Sequence, residues 1–302
     1  MFKVKKVGIQ FAYNSIKKGG RLLKPIFSIG HFTIYLFGIT IMLGMLAGLW
    51  IMTREAKRKG LEQQHMLDLA LYTIFAGIIG ARLYYVVAFN FEYYMRNPLE
   101  ILMIQQGGLS IQGALIGGAL FGYWYTKKKE IPFWRAADTF APGIILGQAI
   151  GRIGCDVFGI PMKNIYPWGI NINNQILHPA QMYEMLLDLI LFGYLWRNRD
   201  RIQYDGQLFI KYIVGFSMNR FVVEFFRTNP IIFGPFSIAH LTSVGIIAIA
   251  FIAGKIIKRK QENLQIDVAN ETAAVRNGEY ILIPAIAAVG IWFYYFIHGT
   301  SY

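Results

Sequence analysis

Eight apolar stretches separated by short polar breaks constrain this chain more than any other feature. They run over residues 34–52, 66–91, 107–126, 136–151, 182–196, 207–226, 236–257 and 281–297. Runs of roughly 17–25 mostly apolar residues are long enough to cross a bilayer as helices. In hydrocarbon the backbone must satisfy its own hydrogen bonds, and a helix does so within one segment. The sequence therefore predicts an all-α membrane protein, a bundle of seven transmembrane helices plus an eighth C-terminal helix. The stretches 136–151 and 182–196 are short, and read as helices that tilt little or end inside the protein. Composition agrees: only 16% of residues are charged, where a soluble domain carries about a quarter. The 23 Phe and 18 Tyr residues cluster near segment ends, where membrane interfaces favour aromatics.

Basic residues orient this bundle. Arg54, Lys57, Arg58 and Lys59, then Lys127, Lys128, Lys129 and Arg135, then Arg197, Arg199 and Arg201, then Lys255, Lys258, Arg259 and Lys260 fall in one set of loops. The alternate loops hold Arg96, Arg152, Lys163 and Arg227. The first set is expected to be cytoplasmic and the N-terminus outside, because cytoplasmic loops carry the lysine and arginine excess. A net charge of +13 scattered in clusters between apolar runs argues against nucleic acid as a partner. One cysteine excludes an internal disulfide framework and a multi-cysteine metal site, and nothing in the chain calls for a cofactor. Residues 1–26 read as a basic segment lying on anionic lipid or a disordered tail. Residues 27–259 form the membrane domain, 260–280 a polar linker, and 281–302 the extra helix and tail.

Charges inside membrane spans cost at least about 2.5–3.5 kcal/mol each and usually mark a polar site. In "NRFVVEFFR", Arg220, Glu224 and Arg227 fall at i, i+4 and i+7, on one helical face. A glutamate holding two planar guanidinium forks suits a phosphate; a structural ion-pair stripe is the alternative. In "HPAQMYEMLLD", Gln181, Glu184 and Asp188 share a face. His178 before them is either a proton carrier or a residue holding the loop. In "GGLSIQGALIGG", five glycines surround Ser110 and Gln112. They serve tight helix packing, or a helix start facing an anion. Arg82 is a lone arginine in a span, expected to pair with a carboxylate or line the same cavity. Arg152, between glycines in "GQAIGRIGCDVFGI", falls on the same side as Arg220, Arg227 and His178. Three arginines near one membrane face could converge on a lipid phosphate.

The stretches "ARLYYV", "GGLSIQGALIGG", "ADTFAPGIILGQAIGRIG", "HPAQMYE", "NRFVVEFFR" and "FSIAHLTSV" resemble, in this order, blocks of the prolipoprotein diacylglyceryl transferase family. The resemblance implies seven membrane helices in a bacterial cell membrane. It also implies transfer of diacylglyceryl from phosphatidylglycerol to the lipobox cysteine in the signal peptide of a preprolipoprotein, with glycerol phosphate leaving. By resemblance Arg152 and Arg220 bind phosphate and Glu224 orients the arginines. Arg227, Glu184 and His178 support the site, with Arg82, Ser110 and Gln112 beside the substrate. The chain departs from the family pattern at Gln112, where a histidine is usual, and at Cys155 and Ile160, where asparagine and an acidic residue are usual. Phe37 stands where a tyrosine precedes glycine. The residues admit an active transferase, a related transferase of altered specificity, and a paralogue that binds phospholipid or lipoprotein without turnover.

Overall fold

The computed structural model describes residues 25–29, 32–104, 107–263 and 282–299. The segments read as an interfacial N-terminus and as most of the polar linker lie outside the described residues. The described chain is built on eight long helices: α1 Leu36–Arg58, α2 Gln63–Phe89, α3 Ile111–Lys128, α4 Phe133–Ile153, α5 Ala180–Asn198, α6 Gln207–Glu224, α7 Ile238–Asn263 and α8 Leu282–His298. Three antiparallel hairpins decorate the loops: β1 Pro25–Ile29 with β2 Phe32–Tyr35, β3 Ile170–Ile172 with β4 Gln175–Leu177, and β5 Ile231–Phe233 with β6 Phe236–Ser237. The loop from α2 to α3 holds a short helix, Phe91–Arg96, and a 3-10 turn, Pro98–Leu102.

Each apolar stretch coincides with one helix, and the differences lie at the ends. The first begins at Leu36 rather than residue 34, because Phe32–Tyr35 pairs as a strand. The two stretches read as short are helices of 21 and 19 residues; their ends carry charges that an apolar window excludes. Helix α7 continues to Asn263, into the segment read as linker. By length and hydropathy, α1, α2 and α7 are long and apolar enough to cross a membrane. Helices α4, α5 and α6 instead bury Asp138, Glu184, Asp188 and Glu224. The outside is apolar, with Leu46, Ile79, Val87, Leu115, Ile190 and Ile249 all exposed. That inversion of a soluble protein's pattern is what lipid demands.

Helix α4 is the hub: it packs on α1, α5 and α6, while α2 pairs with α3, α6 with α7, and α8 lies against α4 and α5. Ile145, Leu189, Leu195 and Leu208 centre one core between α4, α5 and α6. Met52, Met66 and Tyr125 centre a second between α1, α2 and α3.

The α2–α3 pair depends on glycine. A Cβ on Gly113 would fall on the Gly80 carbonyl oxygen and on Tyr84. Close backbone approach of this kind is how helices gain van der Waals contact where lipid offers no hydrophobic drive. Gly113→Ala is therefore expected to destabilise the protein by about 1–3 kcal/mol. Unfolding of the purified protein in mixed micelles measures this, and an unchanged midpoint would mean the two helices separate at no cost.

The two ends of the bundle differ chemically. At one end Arg58 binds Asp200 at 2.9 Å and Glu55 at 2.7 Å, and Arg135 donates to the Lys59 carbonyl. Asp138 there accepts the Gly206 and Phe209 amides opening α6, with Lys59 Nζ at 3.8 Å. At the opposite end the chain after α4 is stitched to the hairpins. Gly159 donates to the His178 carbonyl, His178 to Ile160, and Ile160 to Phe226.

Candidate active site

Helices α4, α5 and α6 bring charged groups together at this second end. Arg152 is in the last turn of α4, Glu184 in the first turns of α5, and Arg220 and Glu224 in the last turns of α6. The Arg152 turn fits because Gly154 has no Cβ; one there would meet the Thr40 side chain on α1. Thr40 in turn hydrogen-bonds the Gly151 carbonyl at 3.4 Å.

Glu184 is fully buried and gathers the arginines. Its Oε1 accepts Arg152 Nη2 at 2.7 Å. Its Oε2 lies 3.6 Å from Arg220 Nη1 and 3.7 Å from Arg227 Nη1. Glu224 holds the same pair from the other side, 3.3 Å from Arg220 and 3.9 Å from Arg227. Its remaining oxygen, Oε1, accepts Asn229 Nδ2 at 2.7 Å and Ser237 Oγ at 2.6 Å. The amide of Ser237 donates to His240 Nδ1 at 3.0 Å. His240 thus lies behind the site and backs the serine that fixes Glu224.

Three guanidinium groups on two carboxylates leave one net positive charge in a largely desolvated corner. The arginines keep 28%, 22% and 17% of their side-chain surface for Arg152, Arg220 and Arg227, while the glutamates keep almost none. The cations therefore face outward and the anions are spent. Burial, together with Arg220 beside it, pulls the pKa of Arg227 below the ordinary arginine value. Crowded cations of this kind gain from a bound anion, and a phosphate offers oxygens that planar forks can take bidentately.

The site opens onto a cavity of about 760 Å³ between α1, α2, α3 and α4. Its walls are apolar, including Ile41, Met45, Ile74, Leu115 and Ile144, and Arg152 lines it as well. A cavity of that size and lining suits a ligand with a long apolar part and one charged end.

The other expected residues lie elsewhere. Arg82 is buried, but its partners are backbone carbonyls, those of Glu100, Ile101, Gly107 and Gly108. The expected carboxylate partner is thus corrected: the loop supplies a ring of carbonyls around a guanidinium whose five donors match them. Ser110 Oγ donates to Gln112 Oε1 at 2.6 Å, and the Ser110 amide to Ala81. Ser110 stands at the N-cap position of α3 with its hydroxyl on Gln112 rather than on the helix amides, and none of the pair's hydrogen bonds reaches the arginines. His178 is half-buried, with Nδ1 3.1 Å from the Tyr183 hydroxyl and its ring against Phe226. Burial lowers its pKa. Trp168 Nε1 donates to the same hydroxyl at 3.0 Å. Asn229, Ser237 and Trp168 were not singled out from sequence. Their only signal is a polar or aromatic residue in a loop next to a charged helix end.

Residues 24–255 match the family model for prolipoprotein diacylglyceryl transferase. A protein of Bacillus cytotoxicus named phosphatidylglycerol–prolipoprotein diacylglyceryl transferase is 39% identical over 77% of this chain and 90% of its own length. Proteins of the same name from Bacillus cereus and Bacillus mycoides are 36% and 37% identical over 78% and 77% of the chain, covering 94% and 90% of theirs. With the match spanning all three arginines and both glutamates, this chain belongs to the prolipoprotein diacylglyceryl transferase family.

Proposed function

We propose that the chain transfers the diacylglyceryl group of phosphatidylglycerol to the lipobox cysteine in the signal peptide of a preprolipoprotein. The observation that carries this reading is Arg152, which lines the apolar cavity and is joined to Arg220 and Arg227 through Glu184. The acyl chains lie in the cavity and the phosphate meets Arg152 and Arg220. A cysteine thiolate attacks the glycerol carbon that bears the phosphate ester. The carbon–oxygen bond breaks, a thioether forms, and glycerol phosphate leaves. Charge develops on the leaving phosphate, where prepositioned guanidinium groups stabilise it most. The same field favours the thiolate over the thiol.

The eight helices act in this reading as seven membrane spans and one C-terminal addition. The arginine-bearing end and the N-terminus face outside, and the Arg58–Asp200 end faces the cytoplasm. The lysine and arginine excess of that second end supports the assignment.

His178 takes a positioning role. The Tyr183 hydroxyl takes the Trp168 indole N–H and meets His178 Nδ1, so the imidazole is held in place by the loop. Charging this half-buried ring costs the solvation that burial removes. Because burial lowers the folded pKa, the stability this contact supplies is present above the ordinary imidazole pKa. It is lost as pH falls through the folded value. His178→Gln is expected to abolish that acid limb of the pH–rate profile and to retain at least a tenth of the neutral rate, roughly. A general base would cost about 10²–10⁴-fold on removal, so a loss of that size would move His178 into the chemistry.

The decisive experiment supplies labelled phosphatidylglycerol to cells depleted of their own transferase and expressing this chain. Label on a lipobox peptide is the expected result. Bound lipid with no label on the peptide would replace the transferase reading with that of a phospholipid-binding paralogue.

A further inference from the structure

Helix α8 lies beyond residue 255, where the family match ends, yet its second half is built into the corner that carries Arg152. Gly290 packs against Met185 on α5 and Ile153, the residue after Arg152. Tyr294 is 1% exposed, and its hydroxyl has no hydrogen-bond partner among the described residues. Its ring lies 4.7 Å from the His298 ring, centroid to centroid. His298 Nε2 lies 3.7 Å from Asp156 Oδ1, with side chains only 3% and 11% exposed. The His298 ring meets Phe158 edge-on.

A second line of contacts leaves the same helix. Tyr295 donates to the Trp168 carbonyl at 2.8 Å, Trp168 donates to Tyr183, and Tyr183 meets His178. The loop after α4 is therefore held by α8 at its start and at its middle. Its near end returns to Arg152 directly, because the Cys155 amide donates to the Arg152 carbonyl at 3.2 Å and the Cys155 thiol lies 4.0 Å from Arg152 Nη1. A helix serving only to anchor the chain in lipid needs neither a nearly buried histidine–aspartate contact nor a buried tyrosine at a site loop.

We infer that α8 is a positioning element of the site: through the His298–Asp156 contact and Tyr294 it sets the loop that fixes Arg152 for the lipid phosphate. This rests on the transferase reading for its kinetic consequence, but its structural part is testable alone. Cys155 is the only cysteine in the chain and is 6% exposed, so a maleimide reports on this corner without background. In the full-length protein in mixed micelles, Tyr294→Ala is expected to speed Cys155 labelling by about tenfold by opening the corner locally. Tyr294→Phe, which removes only the unpartnered hydroxyl, should label as slowly as the unaltered protein.

The kinetic arm uses His298→Ala and Asp156→Asn. Each is expected to lower kcat/KM for phosphatidylglycerol by about three- to tenfold, because a shifted Arg152 stabilises the leaving phosphate less. The double variant should be no worse than either single one, because both remove the same contact. Unchanged labelling in Tyr294→Ala overturns the inference, and so does an unchanged kcat/KM in both single variants or a fully additive double variant. If the unaltered protein binds phosphatidylglycerol but transfers nothing, the transferase reading fails. The labelling rates still decide whether α8 holds the corner.

Discussion

Arg152→Ala and Arg220→Ala should each lower kcat/KM for phosphatidylglycerol by about 10³-fold, the scale seen when one prepositioned charge-stabilising donor is removed. Both guanidinium groups face outward from buried Glu184, where a phosphate can reach them. Each removal also leaves that buried carboxylate short of a partner and lowers stability, so turnover is compared per amount of folded protein. Lysine at either position keeps the charge but not the planar fork, and should recover only part of the loss. The double alanine variant should fall short of the product of the singles, because Arg152 and Arg220 share Glu184 and reorganise together. Initial rates with labelled phosphatidylglycerol and a lipobox peptide read these differences directly. If both single variants turn over normally, the phosphate is bound elsewhere and the cluster only braces the helices.

The helices were legible in sequence because each is a long, mostly apolar run, so its length marks it without any need for a period. The charged stripe on α6 was legible for the opposite reason, since Arg220, Glu224 and Arg227 have no business in hydrocarbon unless they meet. Spacing along one helix could not reveal that Glu184, from α5, gathers all three arginines. Contacts between helices leave no periodic trace. Arg82 illustrates the same limit. A lone buried arginine demands acceptors, and sequence offers carboxylates as the obvious ones. Here the acceptors are carbonyls of a loop closed by Gly107 and Gly108, both at positive φ, which only the folded loop presents. The hairpins were missed because strands of two to five residues lie below any pattern that alternation can establish.

Glu184→Gln should separate binding from turnover. Glutamine has the shape of glutamate, so packing on α5 is preserved, but the cluster gains one net positive charge. An anionic lipid is then attracted at least as strongly, and the KM for phosphatidylglycerol should not rise. The kcat should fall by about 10²-fold, the scale of a small misplacement of a catalytic group. The amide can accept Arg152 with its oxygen, but its NH₂ then faces Arg220 and Arg227 where Glu184 Oε2 stood, 3.6 and 3.7 Å away. Donor opposes donor, and those two guanidinium groups turn away from the geometry that receives the leaving phosphate. Binding that persists while turnover fails is the signature of interactions needed only in the transition state. Glu184→Ala removes even the acceptor for Arg152. Losing one partner of a buried ion pair costs about 3–5 kcal/mol, so that variant should also unfold at lower temperature. A raised KM with kcat intact in Glu184→Gln would instead place Glu184 against the substrate. An unchanged kcat and KM would show that Glu224, with Asn229 and Ser237 behind it, sets the arginines unaided.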